Sequence, residues 1–253
     1  MKTVLISGCS SGFGLATARH FLDRDWNVIA TMRTPREDVL PPSERLRILA
    51  LDVTKPESIS RAIEMAGQID VMVNNAGFGV PAPIELTPVE LAYQLFETNV
   101  LGSIAMIQAT LPQFRKKRSG VIINVSSSTT LKPLPVVGIY RASKAALNAL
   151  TESLAMELKP LGIRVCGVLP GGSPETRFGA NALPHLRGID HPDYGPIIQQ
   201  FVASVRSDAG PKTFAVDVAE AIWQAATEPL TPLFIPAGAD ARIWMEEMRK
   251  LGE

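Results

Sequence analysis

The sequence predicts an α/β fold, a single doubly wound parallel sheet with helices on both faces. Three observations predict it. Short apolar, β-branched runs alternate with helical patterns from residue 3 onward, which calls for parallel strands joined by right-handed crossovers. A glycine-rich turn carrying Gly8, Gly12 and Gly14 links the first strand to the first helix. Later strands deliver polar residues at their carboxyl ends, where sites lie in such sheets.

Composition bounds the reading. At 253 residues, 46% hydrophobic and 20% charged, the chain fits one domain over 1–253 better than two. Lys+Arg 25 balances Asp+Glu 25, and the one basic tract, Arg115–Arg118, reads as a solvated helix end, so no nucleic-acid partner is expected. No apolar run reaches the ~20 residues of a membrane span. The chain enters a strand almost at once, which leaves no room for a signal peptide. Two cysteines, Cys9 and Cys166, make no disulfide framework, and a cytoplasmic setting is expected. The histidines, His20, His185 and His191, have no metal-ligand spacing and read as surface or loop residues; no metal site is expected.

The first strand is Thr3–Ile6, and Leu15–Leu22 takes up a helical pattern after the glycine turn. Strand, glycine turn and helix N-terminus together place bare backbone N–H groups before an anion. A Cβ would block the φ > 0 turns and hold phosphates away. A dinucleotide pyrophosphate site is therefore expected. Gly8-Cys9-Ser10-Ser11-Gly12 also fits G-x-S-x-G, the hydrolase nucleophile elbow. That elbow normally follows several strands, and only one precedes it here, so the phosphate cradle is the better reading.

Asn27–Thr31 is the second strand, followed by Met32-Arg33 with no acid at its end. An acid there selects NAD, whereas an arginine pairs with a 2′-phosphate, so Arg33 favours NADP, with NAD still open. Leu46–Leu51 is the third strand. Asp52, followed by Val53, either receives an adenine amino group or terminates the strand, and a helix begins near Pro56, a residue suited to a first turn. The fourth strand, Asp70–Val73, ends in Asn74-Asn75-Ala76-Gly77, amides that tie strands together or line a ligand crevice.

A long helix is predicted from about Pro88 to Arg115; within it Asn99 reads, on pattern alone, as a satisfied helical amide. The fifth strand, Val121–Val125, delivers Ser126, Ser127 and Ser128, which either cap a turn or line a site. Another long helix, Gly138 to Leu158, carries Tyr140 and Lys144 at i and i+4, on one face. An ammonium near a phenol favours phenolate, which makes an acid/base pair, although Tyr-x-x-x-Lys also arises by chance. The sixth strand, Arg164–Leu169, ends in Pro170-Gly171. The long segment at about 172–215, rich in Pro, Gly and Asp, reads as a lid, and its apolar Phe178, Leu183, Leu186, Ile197, Ile198 and Phe201 suit an apolar substrate. A helix over Val216–Thr227, a short strand at Leu233–Ile235 and an amphipathic helix over Ala239–Leu251 end the chain.

Taken together, these motifs resemble the short-chain dehydrogenase/reductase family in its compact single-domain, Rossmann-type branch. Ser7-Gly8-Cys9-Ser10-Ser11-Gly12-Phe13-Gly14 matches Thr-Gly-x-x-x-Gly-x-Gly with serine for threonine. Asn74-Asn75-Ala76-Gly77 and Tyr140-x-x-x-Lys144 match two further motifs, and the resemblance covers the whole chain. It implies an oxidoreductase that passes hydride between NADP(H) and a carbonyl or secondary alcohol. Ser127, thirteen residues before Tyr140, is the implied catalytic serine that holds the carbonyl oxygen. Tyr140 is the implied proton donor, and Lys144 binds the nicotinamide ribose and depresses the Tyr140 pKa. Asn99 matches the family's asparagine that positions a proton-relay water. The implied cofactor residues are Gly8, Ser10, Ser11, Gly12, Phe13, Gly14, Arg33, Asp52, Val53, Asn74, Ala76, Gly77, Tyr140, Lys144, Pro170, Gly171 and Thr176. Thr176 stands one residue beyond the position, filled here by Glu175, where the family's carboxamide-contacting threonine falls. Many NADP-using members carry a basic residue in the glycine loop; this loop has none, so the NADP expectation leans on Arg33.

The resemblance also implies a homodimer or homotetramer built on helices 88–115 and 138–158, with Ala145, Ala149, Leu150 and Leu154 in close packing. The substrate class it suggests is a small lipophilic carbonyl or alcohol. The main alternative is a non-catalytic dinucleotide sensor, which predicts loss of Ser127, Tyr140 or Lys144; all three are present. An epimerase or dehydratase of the larger related branch would need a longer C-terminal domain.

Overall fold

The computed structural model describes residues 1–206 and 210–251; residues 207–209, inside the expected lid, and 252–253 lie outside the described residues. The strands are β1 (Thr3–Ile6), β2 (Asn27–Met32), β3 (Leu46–Ala50), β4 (Val71–Asn74), β5 (Gly120–Val125), β6 (Ile163–Pro170) and β7 (Phe234–Ala237). They form one sheet in the order β3-β2-β1-β4-β5-β6-β7, with each neighbouring pair parallel. The order reverses between β1 and β4, which opens a crevice at their carboxyl ends.

Side chains alternate across this sheet, so each strand feeds two cores. Val4, Ile6, Val71, Val73, Val121 and Ile123 pack on one face, against α1 (Gly12–Leu22) and later α8 (Ala215–Thr227). Leu5, Met72 and Ile122 pack on the other, against α2 (Pro56–Ala66) and the long helices that follow. Burial on both faces explains why these strands read as unbroken apolar runs. His20, expected at the surface, is instead buried between α1 and α8, with Nε2 3.1 Å from Glu220 Oε2 and its ring edge-on to Trp223. It lies on the inner stripe of α1 with Phe21, which its polar character hides in the sequence.

The helix expected from Pro88 to Arg115 has three parts. These are α3 (Val89–Phe96), a π-helical turn at Glu97–Leu101, and α4 (Gly102–Lys117), which Arg118 ends in the left-handed conformation at φ 50°. A π turn inserts one residue into the helical ladder and rotates the side chains beyond it. Next, α5 (Gly138–Leu158) runs as expected. On its inner stripe Leu154 is buried and Leu150 packs against the same core, so these two leucines face the sheet rather than a second subunit. Ala145 and Ala149, on the opposite stripe, are exposed.

The lid segment is partly helical, with α6 (Phe178–Ala182), a tight turn at Leu183–His185 and α7 (Gly195–Arg206). Buried Ala182 and Ile198 anchor it. The chain closes with α9 (Ala239–Leu251). No described helix is long and apolar enough to cross a membrane.

A polar ladder crosses the middle of the sheet. Asn74 Nδ2 donates to Asn124 Oδ1 at 2.9 Å, Asn124 Nδ2 donates to Thr151 Oγ1 at 2.9 Å, and Thr151 Oγ1 donates to the Leu147 carbonyl at 2.7 Å. It ties β4 to β5 and β5 to α5, and all three side chains are buried. Asn124→Ala strips partners from two buried amide and hydroxyl groups at once. It should cost about 2–3 kcal/mol in urea unfolding, and a loss below about 0.5 kcal/mol would contradict this account.

Candidate active site

The crevice is built first from β1. Ser7 Oγ accepts from the Asn75 and Ala76 backbone N–H groups, both at 3.0 Å. Asn75 Nδ2 donates back to the Ser7 carbonyl at 2.9 Å and the Gly8 carbonyl at 3.1 Å. The ends of β1 and β4 are thus fastened together. Gly8 and Gly12 adopt φ +77° and +58°. A Cβ on Gly14 would collide with the Gly8 carbonyl and stand 2.6 Å from Asn75 Nδ2. The loop is therefore glycine because its own backbone folds against itself.

Ser11 precedes α1 without a side-chain cap, so the helix start faces the crevice unblocked. Ser10 is exposed, Ser11 half-buried, and Phe13 packs partly on the core. The Cys9 thiol is buried against the Ile6 carbonyl, and burial pushes it up to about 12, which makes it inert at neutral pH. Among the described residues no hydrogen bond joins Ser10 to a histidine. His185 stacks on Phe78 and His191 on Tyr194, so the hydrolase reading has no base.

At the carboxyl end of β2, Arg33 follows the strand and is exposed. Asp52 lies within reach of its charge. Burial pushes that carboxyl up, but hydrogen bonds from the Thr54 N–H and hydroxyl, with the Arg33 and Lys55 charges, outweigh it and hold the group low. Val53 is buried against Gly102, where a Cβ would stand 2.8 Å from Val53 Cγ2. Asn74 commits its amide to Asn124, so its side chain serves the sheet.

The other half of the site hangs from β5 and α5. Lys144 Nζ, on a side chain 5% exposed, donates to the Val125 carbonyl at 2.9 Å. It stands 5.9 Å from the centre of the Tyr140 ring. Ser127 caps the turn at Ser128–Thr130, and its Oγ accepts from Thr129 N at 3.2 Å and Thr129 Oγ1 at 3.0 Å. With both lone pairs engaged, its own proton is left to donate, and it bonds the Tyr140 phenol. Ser126 instead donates to the Lys144 carbonyl and is structural. Asn99, fully buried in the π turn, clasps Phe78: its Oδ1 accepts from Phe78 N and its Nδ2 donates to Phe78 O, both at 3.1 Å. A Cβ on Gly77 would stand 2.9 Å from Asn99 Oδ1 and 3.6 Å from Lys144 Nζ, so bare backbone separates the two.

Burial governs the titration of this group. It raises Tyr140 to about 12, against the lowering effect of the Ser127 bond, and it lowers Lys144 to about 8. The expectation that Lys144 depresses the Tyr140 pKa is corrected here. The ammonium is aimed at a carbonyl, stands over the Tyr140 ring, and is itself destabilised by burial.

On the far wall, Pro170 ends β6 and Gly171 follows. Thr176 reaches across to the glycine loop, where a Cβ on Gly12 would stand 3.3 Å from Thr176 Cβ. Ser173 Oγ is buried without a partner. Phe178 packs on Tyr140, ring centres 5.5 Å apart and tilted 57°, and its tip fills the space a side chain at Gly79 would need. Phe178 was expected as an apolar lid residue, though not its contact with Tyr140; Thr129 and Ser173 had no signal in sequence, because each depends on a contact between distant segments or a cap geometry. Among the described residues no His/Cys/Asp/Glu group could hold a metal.

Known proteins bear on this arrangement. The chain is 40% identical over 174 residues to a 3-ketodihydrosphingosine reductase of Bacteroides thetaiotaomicron, an alignment covering 67% of this chain and 63% of that protein. A short-chain dehydrogenase from Streptomyces avermitilis superposes with a TM-score of 0.85 at 31% identity, over 99% of this chain and 92% of the other. A serine dehydrogenase in a closed form complexed with NADP+ gives a TM-score of 0.81 at 26% identity, over 94% and 95%. The family model for short chain dehydrogenase matches residues 2–185, which take in β1 to β6 with their carboxyl ends, and the chain belongs to the short-chain dehydrogenase/reductase family of oxidoreductases.

Proposed function

We propose that this protein is an NADP-dependent oxidoreductase that interconverts a lipophilic carbonyl compound and its secondary alcohol, with Tyr140 as general acid/base. The observation that carries the reading is the convergence of Ser127, Tyr140 and Lys144 where the carboxyl end of β5 meets the amino end of α5. Its residues fit a nicotinamide dinucleotide. Gly8, Gly12 and Gly14 let the loop fold down tightly beside the uncapped start of α1, and the buried Ser173 hydroxyl lacks a partner. Ser10, Ser11, Phe13, Asn74, Ala76, Pro170, Gly171 and Thr176 line the crevice by position, and Asp52 with Val53 flanks the adenine end. The exposure of Arg33 at the end of β2, with no acid there, supports pairing with a 2′-phosphate.

When bound, the cofactor supplies the hydride. Burial keeps the Tyr140 phenol protonated at neutral pH, so it is ready to give its proton to a carbonyl oxygen. Ser127, its lone pairs occupied by Thr129, turns its one proton from the phenol to the same oxygen when the carbonyl enters. Lys144 remains mostly charged below about pH 8 and holds the ribose. Asn99 anchors the relay water. A sensor with a vestigial site is not favoured, since all three side chains are present and grouped.

Residues 172–215 act as the substrate lid, with Phe178 over Tyr140 and Phe78 against His185 giving it an apolar lining. The 3-ketodihydrosphingosine reductase likeness points the same way, toward a lipophilic carbonyl. Exposed Val89, Tyr93, Leu101, Ala145, Ala149 and Met156 on α3, the π turn and α5 support a homodimer or homotetramer. Two buried, unpaired thiols fit a reducing, cytoplasmic setting.

Tyr140→Phe should lower kcat by about 10²–10⁴-fold while NADPH affinity stays within about threefold; near-normal turnover would sink the mechanism. A second test uses pH without cofactor. Lys144 falls from 10.5 to about 8 on folding, so its contribution to stability is full above 10.5 and is lost as pH falls through about 8. Tyr140 rises from 10.0 to about 12, so its contribution is full below 10.0 and is lost as pH rises through about 12. Unfolding midpoints of the wild type should therefore climb relative to Lys144→Met as pH rises from about 8 to about 10. Parallel curves would mean that Lys144 is not the desolvated group described.

A further inference from the structure

We propose that Asp240 is a positioning residue that pins both ends of the 172–213 segment to the rim of the cofactor cleft. Asp240 is the second residue of α9 and is only 9% exposed. Its Oδ2 accepts from the Gly172 backbone N–H at 2.7 Å, at the outgoing end of the segment. Its Oδ1 accepts from Thr213 Oγ1 at 2.6 Å, at the returning end. The two ends also hold each other: Thr213 N donates to the Gly172 carbonyl at 3.0 Å, and Gly171 N donates to Thr213 Oγ1 at 3.0 Å.

The fit around this carboxylate explains two glycines. A Cβ on Gly171 would overlap the Asp240 carboxylate, and one on Gly238, at φ +95°, would overlap Thr213 Oγ1. The end of β6, the segment's return and the β7–α9 turn therefore converge on one buried acid. Two residues from that point stands the unpartnered Ser173, and Thr176 follows against the glycine loop. Ser127, Tyr140 and Lys144 hang from β5 and α5 and share no hydrogen bond with Asp240 or Thr213 among the described residues. Loosening the pin should thus displace a binding wall and leave the acid/base group in place.

The pin works by accepting hydrogen bonds, so an amide can replace it. In Asp240→Asn the amide oxygen takes Gly172 N–H and the amide nitrogen donates to Thr213 Oγ1. The threonine proton then turns to the Ala237 carbonyl, already 2.9 Å away. Asp240→Ala offers neither contact.

Hydrogen exchange on the full chain without cofactor tests this. Asp240→Ala should speed exchange about tenfold in peptides covering 171–178 and 212–215, leave β5 and α5 unchanged, and be rescued by Asp240→Asn to within about threefold. With cofactor and a carbonyl substrate, the same alanine variant should raise KM about tenfold with kcat held within about threefold. Should Asp240→Ala fail to fold, Thr213→Val removes one arm of the pin and should loosen the same two peptides. Unchanged exchange at both ends, uniform acceleration across the chain, a failed asparagine rescue, or a fall in kcat with KM unchanged would each overturn the proposal. The kinetic arm rests on the oxidoreductase reading; if no carbonyl is turned over, that reading fails while the exchange arm still decides the pin.

Discussion

The fastening of β1 to β4 is the constraint on which the rest of the molecule depends. A parallel sheet that reverses its order between these strands opens a crevice there, but only rigid, bare loops make it a ligand site. The Asn75 side chain supplies the rigidity through two carbonyls, Ser7 Oγ returns two bonds to the Asn75 and Ala76 backbone, and Gly14 lets the loop fold down upon Gly8. Each component fails without the others. A side chain at Gly14 would push away the carbonyl that Asn75 holds, and without Asn75 the Gly8 carbonyl would lose its side-chain tether to the end of β4.

The opposite half of the site is governed by desolvation. Two forces compete over Tyr140: burial, which disfavours the phenolate, and the Ser127 hydrogen bond, which favours it. Burial wins in the protein alone and leaves the phenol as an acid. The same burial weakens the hold of Lys144 on its proton, so both groups of the pair are moved toward neutrality. Such a pair has its pKa values set by environment rather than by direct contact, which is how one fold conducts proton transfer near neutral pH. The π turn adds a mechanical element, because its extra residue turns Asn99 inward to clasp Phe78 and keep the Gly77 backbone between amide and ammonium.

Much of this was legible in the residues themselves. Strands buried on both faces announce themselves as apolar runs, and all seven lie within two residues of their expected positions. The glycine loop, the Asn-Asn-Ala-Gly strand end and the Tyr140/Lys144 spacing were readable because they are local, and the structure brings them to one edge. What stayed hidden was long-range or three-dimensional. His20 is buried although its residue type argues for the surface, because α8 folds back over α1. Leu154 reads equally well as interface or core until the direction of α5 is known. Periodicity does not distinguish an α-helix from one interrupted by a π turn, and it does not show that Asp240, Thr213 and Gly172 meet, since 68 residues separate the first from the last.

The central claim is that the cleft between β1 and β4 holds NADP, with Arg33 on its 2′-phosphate. Titrating the purified protein with NADPH and with NADH, following nicotinamide fluorescence, tests it most directly. The account predicts NADPH binding at least about tenfold tighter than NADH, and loss of that preference in Arg33→Asp. Equal affinities in the wild type would contradict the role of Arg33, and binding of neither nucleotide by folded protein would contradict the cradle itself.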